Sequence, residues 1–365
     1  MVGLSHRAKA ALKGFQTEPD CRNTEFATHP HREYESLKDE FIGDRHRLRQ
    51  FVKTLGDYTL IPGGALSLGD TSSFQISDPD NEYYKYIRDA YGTNVVTAST
   101  HISIGVSDPE DIIRVYRVLR CEAALFLAMT AASPWLDGKA TGFHSTRWHI
   151  FPRTPPHVPL FARHEDYTAW VEEKLRTGEM QNHRHLWVGA RPNGDDAPRS
   201  LNRVELRICD RISHPVSLLG VVAFLEARIS HLIEQTAEDP LSGKRFSETE
   251  LLEMVTANEQ AVSRSSLDAE VVRWSDGKRL GVREWVEELL QQVLPLATAG
   301  GYDAYLDGVT RILEKGSIAK RWLDREAAGE SIQEILIDAI HHAEECDIAC
   351  ANTPCEMAFE ECADE

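Results

Sequence analysis

An alternation of apolar and polar side chains runs through the stretch N-R-V-E-L-R-I-C-D, residues 202–210. Successive side chains of a β-strand point to opposite faces, so Val204, Leu206 and Ile208 would share one face. The opposite face would carry Arg203, Glu205, Arg207 and Cys209. The stretch therefore predicts a strand that turns its apolar face to the core and its charged face away from it.

Three further segments show the same alternation: residues 93–106, 145–151 and 23–28. Their polar faces include His101, Arg147 and Glu25. An antiparallel sheet often leaves one face in water, which would explain any single strand of this kind. A face with separated carboxylates, a histidine and arginines would also suit Mg²⁺ and phosphate, because Mg²⁺ takes oxygen ligands and arginine pairs with phosphate oxygens. The pattern alone leaves both interpretations open.

Long amphipathic segments accompany the strands, so we expect an α+β fold. Residues 109–132 predict a helix capped by Asp108, with Pro109 at its first position. A second helix begins near Pro215, and Ser247 with Glu250 has the spacing of a capping box. We expect an α+β core with the sheet in residues 1–240, a helical part in 241–342 that packs on it, and an acidic, cysteine-containing tail in 343–365.

The composition limits the classes of partner. The chain has 365 residues and a formal charge of −18. A protein with this negative charge repels nucleic-acid phosphates and anionic lipid headgroups. We therefore expect small-molecule substrates, and neither nucleic acid nor a membrane as partners. We see no apolar run near the roughly 20 residues that span a bilayer. Seven cysteines do not suggest a secreted disulfide framework, and we expect a cytoplasmic protein.

Several common catalytic motifs are absent from the sequence. It contains no P-loop, no dinucleotide-binding glycine motif, no H-E-x-x-H and no G-x-S-x-G. Nucleotide binding would therefore depend on metal held by carboxylates.

Four cysteines lie near the C-terminal end, at Cys346, Cys350, Cys355 and Cys362. Structural zinc sites favour two cysteines separated by two to four residues, and of these cysteines only Cys346 and Cys350 fit that spacing. His341 and His342 could add ligands. The pattern favours an ordinary or redox-sensitive acidic tail over a metal site.

Six motifs occur in an order that resembles the glutamate–cysteine ligases of the cyanobacterial type, within the carboxylate–amine ligase family. The resemblance covers residues 1 to about 340. The motifs are E-P-D-C-R-N-T-E-F-A-T (18–28), T-A-S-T-H-I-S-I-G (97–105), S-P-W-L-D-G-K-A-T-G-F-H-S-T-R (133–147), W-V-G-A-R-P (187–192), N-R-V-E-L-R-I-C-D (202–210) and N-E-Q-A-V-S-R-S-S-L-D-A (258–269).

This resemblance implies a glutamine-synthetase-like fold, in which a curved antiparallel sheet backed by helices forms a funnel for ATP and Mg²⁺. It also implies the reaction. ATP would phosphorylate the γ-carboxylate of glutamate, and the amine of L-cysteine would displace phosphate. The product would be γ-glutamylcysteine, the first intermediate of glutathione biosynthesis.

The resemblance also implies roles for eight side chains. Glu18, Glu25, His101 and Glu205 match positions that resemble metal ligands, and His101 would lie close to the nucleotide as well. Arg207 would reach phosphate. Arg147 and Arg191 would meet the glutamate carboxylates or phosphate, and Arg264 is a further candidate for the nucleotide. For the last three arginines, an ordinary surface salt bridge is the alternative interpretation.

The start of the chain departs from its relatives, which open with a K-G-F-E-V-E-like strand whose two glutamates hold metal. This chain begins M-V-G-L-S, which resembles the segment after that strand. We therefore keep three hypotheses: a glutamate–cysteine ligase, a carboxylate–amine ligase with another amine acceptor, and a non-catalytic binding protein derived from a ligase.

Overall fold

The computed structural model describes residues 1–153, 155–182, 185–191, 202–236, 238–242 and 245–352. Over these residues the fold is α+β and mainly helical. Its α-helices are α1 (Ser5–Ala11), α2 (Tyr34–Leu55), α3 (Glu82–Tyr91), α4 (Pro109–Thr130), α5 (Thr146–Ile150), α6 (His164–Thr177), α7 (Pro215–Glu234), α8 (Glu248–Ser265), α9 (Val282–Gly300), α10 (Asp307–Lys315), α11 (Ile318–Ala327) and α12 (Ile332–Asn352). Its strands are β1 (Phe15–Thr17), β2 (Thr24–Phe26), β3 (Ile102–Gly105), β4 (Trp135–Leu136), β5 (Lys139–Ala140), β6 (Val188–Arg191), β7 (Arg203–Leu206), β8 (Glu270–Val272) and β9 (Arg279–Gly281).

Helices α4 and α7 form the centre of the core. The Asp108 carboxylate accepts hydrogen bonds from the backbone N–H groups of Glu110 and Asp111, which confirms the predicted cap of α4. Most residues of both helices are buried. Val262 of α8 and Val286 of α9 lie in the same apolar cluster as these helices, so one continuous core joins the two parts that we expected from the sequence.

The length and composition of α7 correct the expectation that no apolar run approaches the length needed to span a bilayer. Its 20 residues have a mean hydropathy of 1.7 over an 18-residue window, which is enough to cross a membrane by those two measures alone. In the fold, 67% of that window is buried inside the protein. The apolar character of α7 is therefore explained by its place in the core, because a helix that is hydrophobic all round packs on every side.

A three-stranded antiparallel sheet in the order β3-β7-β6 packs on α4. Its central strand, β7, confirms the strand predicted in residues 202–210, although regular pairing ends at Leu206. The register places Glu205 between Ser103 of β3 and Gly189 of β6. The polar face of β7 is thus flanked on one side by a hydroxyl and on the other by a residue without a side chain.

Two of the other predicted strands do not join this sheet. The prediction of a strand over residues 145–151 is wrong, because the Ser145 hydroxyl accepts a hydrogen bond from the Trp148 N–H at 3.3 Å and begins α5. The predicted strand in residues 23–28 is present as β2, but it pairs with β1 in a separate two-stranded sheet. The described residues therefore contain several small sheets in place of one curved sheet.

The buried carboxylate of Asp210 joins two of the six sequence motifs, residues 133–147 and 202–210. It accepts hydrogen bonds from the Ser133 hydroxyl at 2.6 Å, the Ser145 hydroxyl at 2.8 Å and the Ala132 N–H at 3.0 Å. The side chain is fully buried, and burial raises its pKa. Arg147, whose guanidinium lies 3.8 Å away, opposes that rise. Asp210 therefore fixes the end of the β7 segment against the loops on either side of β4 and β5.

The sequence P-G-G at residues 62–64 packs against this carboxylate. A Cβ atom at Gly64 would lie 3.2 Å from both the Asp210 Cγ and the Ser133 Cβ, closer than nearly all real contacts of this kind. Gly63 has φ +102°, in the region that favours glycine. From the sequence we could predict only a turn here, whereas the structure shows why both glycines are needed.

Helix α12 corrects the expectation of a solvated tail. Cys346, Asp347 and Cys350 are buried, and the Asp347 carboxylate forms ion pairs with Arg45 at 3.3 Å and with Arg49, both on α2. The chain is therefore packed against the core at least as far as Cys350. The remainder of the predicted tail, residues 353–365 with Cys355 and Cys362, lies outside the described residues.

We predict that Asp210→Ala lowers the free energy of unfolding by about 3 kcal/mol or more, because it leaves buried donors without an acceptor and a buried guanidinium without its counter-charge. Urea denaturation followed by circular dichroism measures the change. The control is Asp89→Ala on α3, an exposed carboxylate paired with Arg88, for which we expect little change because the pair is screened by water. Equal losses in both variants would show that Asp210 does not organise the fold.

Candidate active site

Glu205 lies between two arginines on the polar face of β6 and β7. Its Oε2 atom accepts a hydrogen bond from Nη2 of Arg191 at 2.8 Å, and its Oε1 atom accepts one from Nη1 of Arg207 at 3.4 Å. Arg191 is 3% exposed and Glu205 9% exposed. The strand alternation predicted Glu205 and Arg207 on one face, and the resemblance added Arg191; the structure brings all three together.

The charges around Glu205 hold it in its ionised form. Burial raises the pKa of this carboxyl, but the Arg207 and Arg191 guanidinium groups outweigh burial, and Arg203 adds to them, so the pKa lies below its ordinary value. Three guanidinium groups thus act on this one carboxylate. Guanidinium groups match the oxygens of phosphate and carboxylate, so the face is suited to an anionic ligand.

Gly189 lies against this ion pair and is itself buried. It is paired with Glu205 in the sheet register, and a Cβ atom there would lie 3.7 Å from Glu205 Oε2 and 3.9 Å from the Arg191 guanidinium carbon. A side chain at this position would therefore contact both charged groups. This contact could not be predicted from the sequence, because it depends on the register between two strands.

His101 precedes β3 and has an exposed side chain, with Nε2 placed 2.9 Å from the Ser99 hydroxyl. Ile102 pairs with Leu206, and Ser99 forms an isolated bridge with Asp210, so His101 lies in the segment that runs alongside residues 206–210. Its place near the nucleotide stays a prediction.

Glu18 and Glu25 lie on the β1–β2 hairpin, which is a separate element. Burial raises the pKa of Tyr84, and the charges of both glutamates raise it further, so all three groups are neighbours. The Asn23 side-chain amide donates a hydrogen bond to the Thr97 carbonyl at 2.8 Å. The hairpin is thereby attached to the segment that leads to His101.

The four predicted metal ligands do not form one compact cluster. Across the described residues, the one group of three or more potential ligand side chains whose ligand atoms all lie within 4.8 Å of one another is His214, His342 and Cys346. Glu18, Glu25, His101 and Glu205, all described, are not in such a group. Their assignment as metal ligands therefore stays a prediction.

Arg147 has contacts other than those we predicted. Its Nη1 and Nη2 atoms donate to the backbone carbonyls of Ile208 at 2.9 Å and Arg207 at 3.1 Å. It is 3% exposed, and burial lowers its pKa to about 10. These contacts give Arg147 a positioning role for the segment that follows β7 and rule out the alternative of a surface salt bridge, whereas its contact with substrate or phosphate stays a prediction.

Arg264 is exposed on α8, with its guanidinium carbon 4.5 Å from the centroid of the Phe143 ring. The adjacent Ser263 carbonyl accepts backbone hydrogen bonds from His144 and Ser145. Arg264 thus lies beside the motif of residues 133–147, and its role at the nucleotide stays a prediction.

Comparison with known proteins agrees with the resemblance. The family model described as glutamate–cysteine ligase family 2 matches residues 1–338. The chain belongs to this family. It is 28% identical over 244 residues to "Putative glutamate–cysteine ligase 2-3" of Rubrobacter xylanophilus, with 66% of this chain and 62% of that protein covered. It is 27% identical over 321 residues to "Putative glutamate–cysteine ligase 2" of Sorangium cellulosum, with 86% and 81% covered.

The match thus spans less than two thirds of the Rubrobacter protein. Among solved structures, the crystal structure of glutamate–cysteine ligase from Francisella tularensis in complex with AMP has a TM-score of 0.67 at 12% identity. It covers 96% of this chain and 86% of that protein. At this identity the likeness shows a shared fold, and it supports the α+β class that we expected for a member of family 2.

We predict that the stabilising effect of the Glu205 charge disappears in acid. Because the folded-state pKa is lowered, the contribution is present above the ordinary value of 4.5 and is lost as the pH falls through the folded-state pKa. Urea denaturation of the wild type and Glu205→Gln should therefore show a larger stability difference at about pH 7 than at about pH 3. The same comparison in an Arg191→Gln background should show a smaller change with pH. A difference that does not depend on pH would contradict the ion pairs.

Proposed function

We propose that this protein joins the γ-carboxylate of glutamate to the amine of L-cysteine at the expense of ATP, in the cytoplasm. The product would be γ-glutamylcysteine, the first intermediate of glutathione biosynthesis. One observation carries the proposal within the family: Glu205 is buried in contact with Arg191 and Arg207, beside Gly189. The two guanidinium groups would suit an anionic ligand, although the overall charge of the protein is −18.

The arginines suit the chemistry of phosphoryl transfer. An oxygen of the γ-carboxylate would attack the γ-phosphorus of ATP, the bond to the β–γ bridging oxygen would break, and ADP would leave. The amine would then attack the carbonyl carbon and expel inorganic phosphate, losing a proton to solvent. Both steps bring anionic groups together, so positioning and charge neutralisation dominate. Arg207 and Arg191 would neutralise phosphate and carboxylate oxygens.

The donor set is compatible with Mg²⁺ that arrives with the nucleotide. Mg²⁺ is usually held by one or two carboxylates together with substrate phosphates and waters, without a complete cage of protein ligands. A carboxylate has about four lone-pair sites, and Glu205 uses two of them for the arginines. Glu205 would hold the ion, with His101 beside it. When bound, the ion would neutralise charge on the phosphates. Glu18 and Glu25 remain candidates for a second position on the hairpin.

The acceptor amine is the least constrained part of the proposal. Cysteine is supported by the family to which the chain belongs and by the solved ligase with which it shares a fold. A ligase with another acceptor would need the same activated carboxylate and the same arginine face. A binding protein that has lost catalysis would retain the nucleotide and glutamate contacts without turnover.

An ADP-release assay with glutamate, Mg²⁺ and a panel of amines separates these three possibilities. We expect release that depends on both glutamate and cysteine, with γ-glutamylcysteine identified by mass spectrometry. Faster ADP release with another amine would identify that amine as the acceptor and would still support a ligase. Binding of ATP without ADP release for any amine would favour the non-catalytic protein.

We predict that Glu205→Gln lowers kcat by about 100-fold or more, because the substitution keeps the volume of the side chain but removes its charge. Steady-state ADP release measures the effect. The matched control is Glu173→Gln on α6, which breaks an exposed pair with Arg176 at 2.7 Å and should leave kcat unchanged. A Glu205→Gln protein with near-normal kcat would remove the chemical basis of the proposed site.

A further inference from the structure

Three side chains from distant parts of the chain meet on the side of α12 that packs against α7. They are His214, His342 and Cys346, and their ligand atoms all lie within 4.8 Å of one another. The Cys346 sulfur is 3.2 Å from Nε2 of His342. The imidazole rings of His214 and His342 are stacked, with centroids 5.7 Å apart and an angle of 21° between their planes. None of these side chains belongs to the arginine face around Glu205.

The local structure sets each side chain in this position. His342 and Cys346 are four residues apart on α12, so they share one face of the helix, one turn apart. His214 is the cap of α7, directly before Pro215, where the chain enters the core helix. Cys346 is buried and both histidines are partly buried. The cluster therefore has a fixed inner sulfur and two imidazoles closer to solvent.

We propose that His214, His342 and Cys346 bind a single Zn²⁺ ion. Imidazole nitrogen and cysteine sulfur are the ligands that Zn²⁺ prefers, and three protein ligands with one open position is a common arrangement. From usual bond lengths, a sulfur and a nitrogen on one tetrahedral Zn²⁺ lie about 3.6 Å apart. The observed separation of 3.2 Å needs only a small adjustment to accept the ion.

A small cavity adjoins the cluster and leaves room for a fourth ligand. His214 and His342 line it together with Pro62, Ser213 and Trp322. A water molecule there could complete the tetrahedron, because a Zn²⁺ ion with three protein ligands ordinarily keeps a water or a substrate at the fourth position.

A buried carboxylate lies among the arginines beside the cluster. Asp347 follows Cys346 and forms ion pairs with Arg45 and Arg49 of α2, so the arginine charge near the site is partly offset by a buried carboxylate. The bound ion would link α12 to the segment that leaves β7 and begins α7. It would therefore stabilise the attachment of the C-terminal helix, a role that does not depend on the proposed ligase activity.

Cobalt substitution tests this site on the full chain. After removal of metal, we expect one equivalent of Co²⁺ to produce the visible bands of a tetrahedral ion together with a sulfur-to-cobalt charge-transfer band, both displaced by Zn²⁺. Cys346→Ser should lose the charge-transfer band. His342→Gln should weaken Co²⁺ binding at least about tenfold. The matched control is Cys350→Ser, because Cys350 lies one turn further along α12 and is also buried. This variant should still bind one equivalent of Co²⁺ and show the full charge-transfer band.

A second measurement covers variants that fold poorly. Zn²⁺ should raise the Tm of the metal-free wild type and should not raise that of Cys346→Ser. The proposal is overturned if the wild type shows no charge-transfer band, or if the band persists in Cys346→Ser. It is also overturned if the band requires Cys355 or Cys362 and not Cys346.

Discussion

The buried carboxylate of Asp210 is the interaction on which the rest of the fold depends. It binds two serine hydroxyls and a backbone N–H, and Arg147 lies beside it. Arg147 in turn holds the carbonyls of residues 207 and 208. A buried charge of this kind is tolerated only when its hydrogen bonds are complete. The Gly64 backbone approaches it closely, so the loop, the strand and α5 are fixed relative to one another.

The same arrangement positions the arginines of the proposed site. Arg207 lies in the segment that Asp210 and Arg147 fix, and its partner Glu205 is held from the other side by Arg191 of β6. Interactions among partly buried charges are screened less than those at the surface. The two guanidinium groups could therefore act on a phosphate or carboxylate ligand although the overall charge of the protein is −18.

Residues with a strong local signal were predicted well from the sequence. The cap at Asp108, the capping box at Ser247 and the alternation around Glu205 depend on near neighbours in the chain, and all three are present. The strand predicted at residues 145–151 failed because Ser145 both caps a helix and binds Asp210, 65 residues away. Alternation over a few residues cannot distinguish a buried helical turn from a strand.

The parts of the site that could not be predicted depend on contacts between distant segments. Gly189 matters only through its register with Glu205, and the cluster of His214, His342 and Cys346 joins two helices far apart in the chain. The family resemblance named both Arg191 and Glu205 as site residues, and the structure places them in contact. It also suggested Arg147 for the substrate, although its hydrogen bonds go to the backbone. The central claim is that Glu205, Arg191 and Arg207 bind the metal and the nucleotide phosphates, and a crystal structure with Mn²⁺ and a non-hydrolysable ATP analogue tests it most directly. We expect anomalous density for Mn²⁺ at Glu205, with the phosphates against Arg191 and Arg207. Metal and phosphates bound away from this face would contradict the claim.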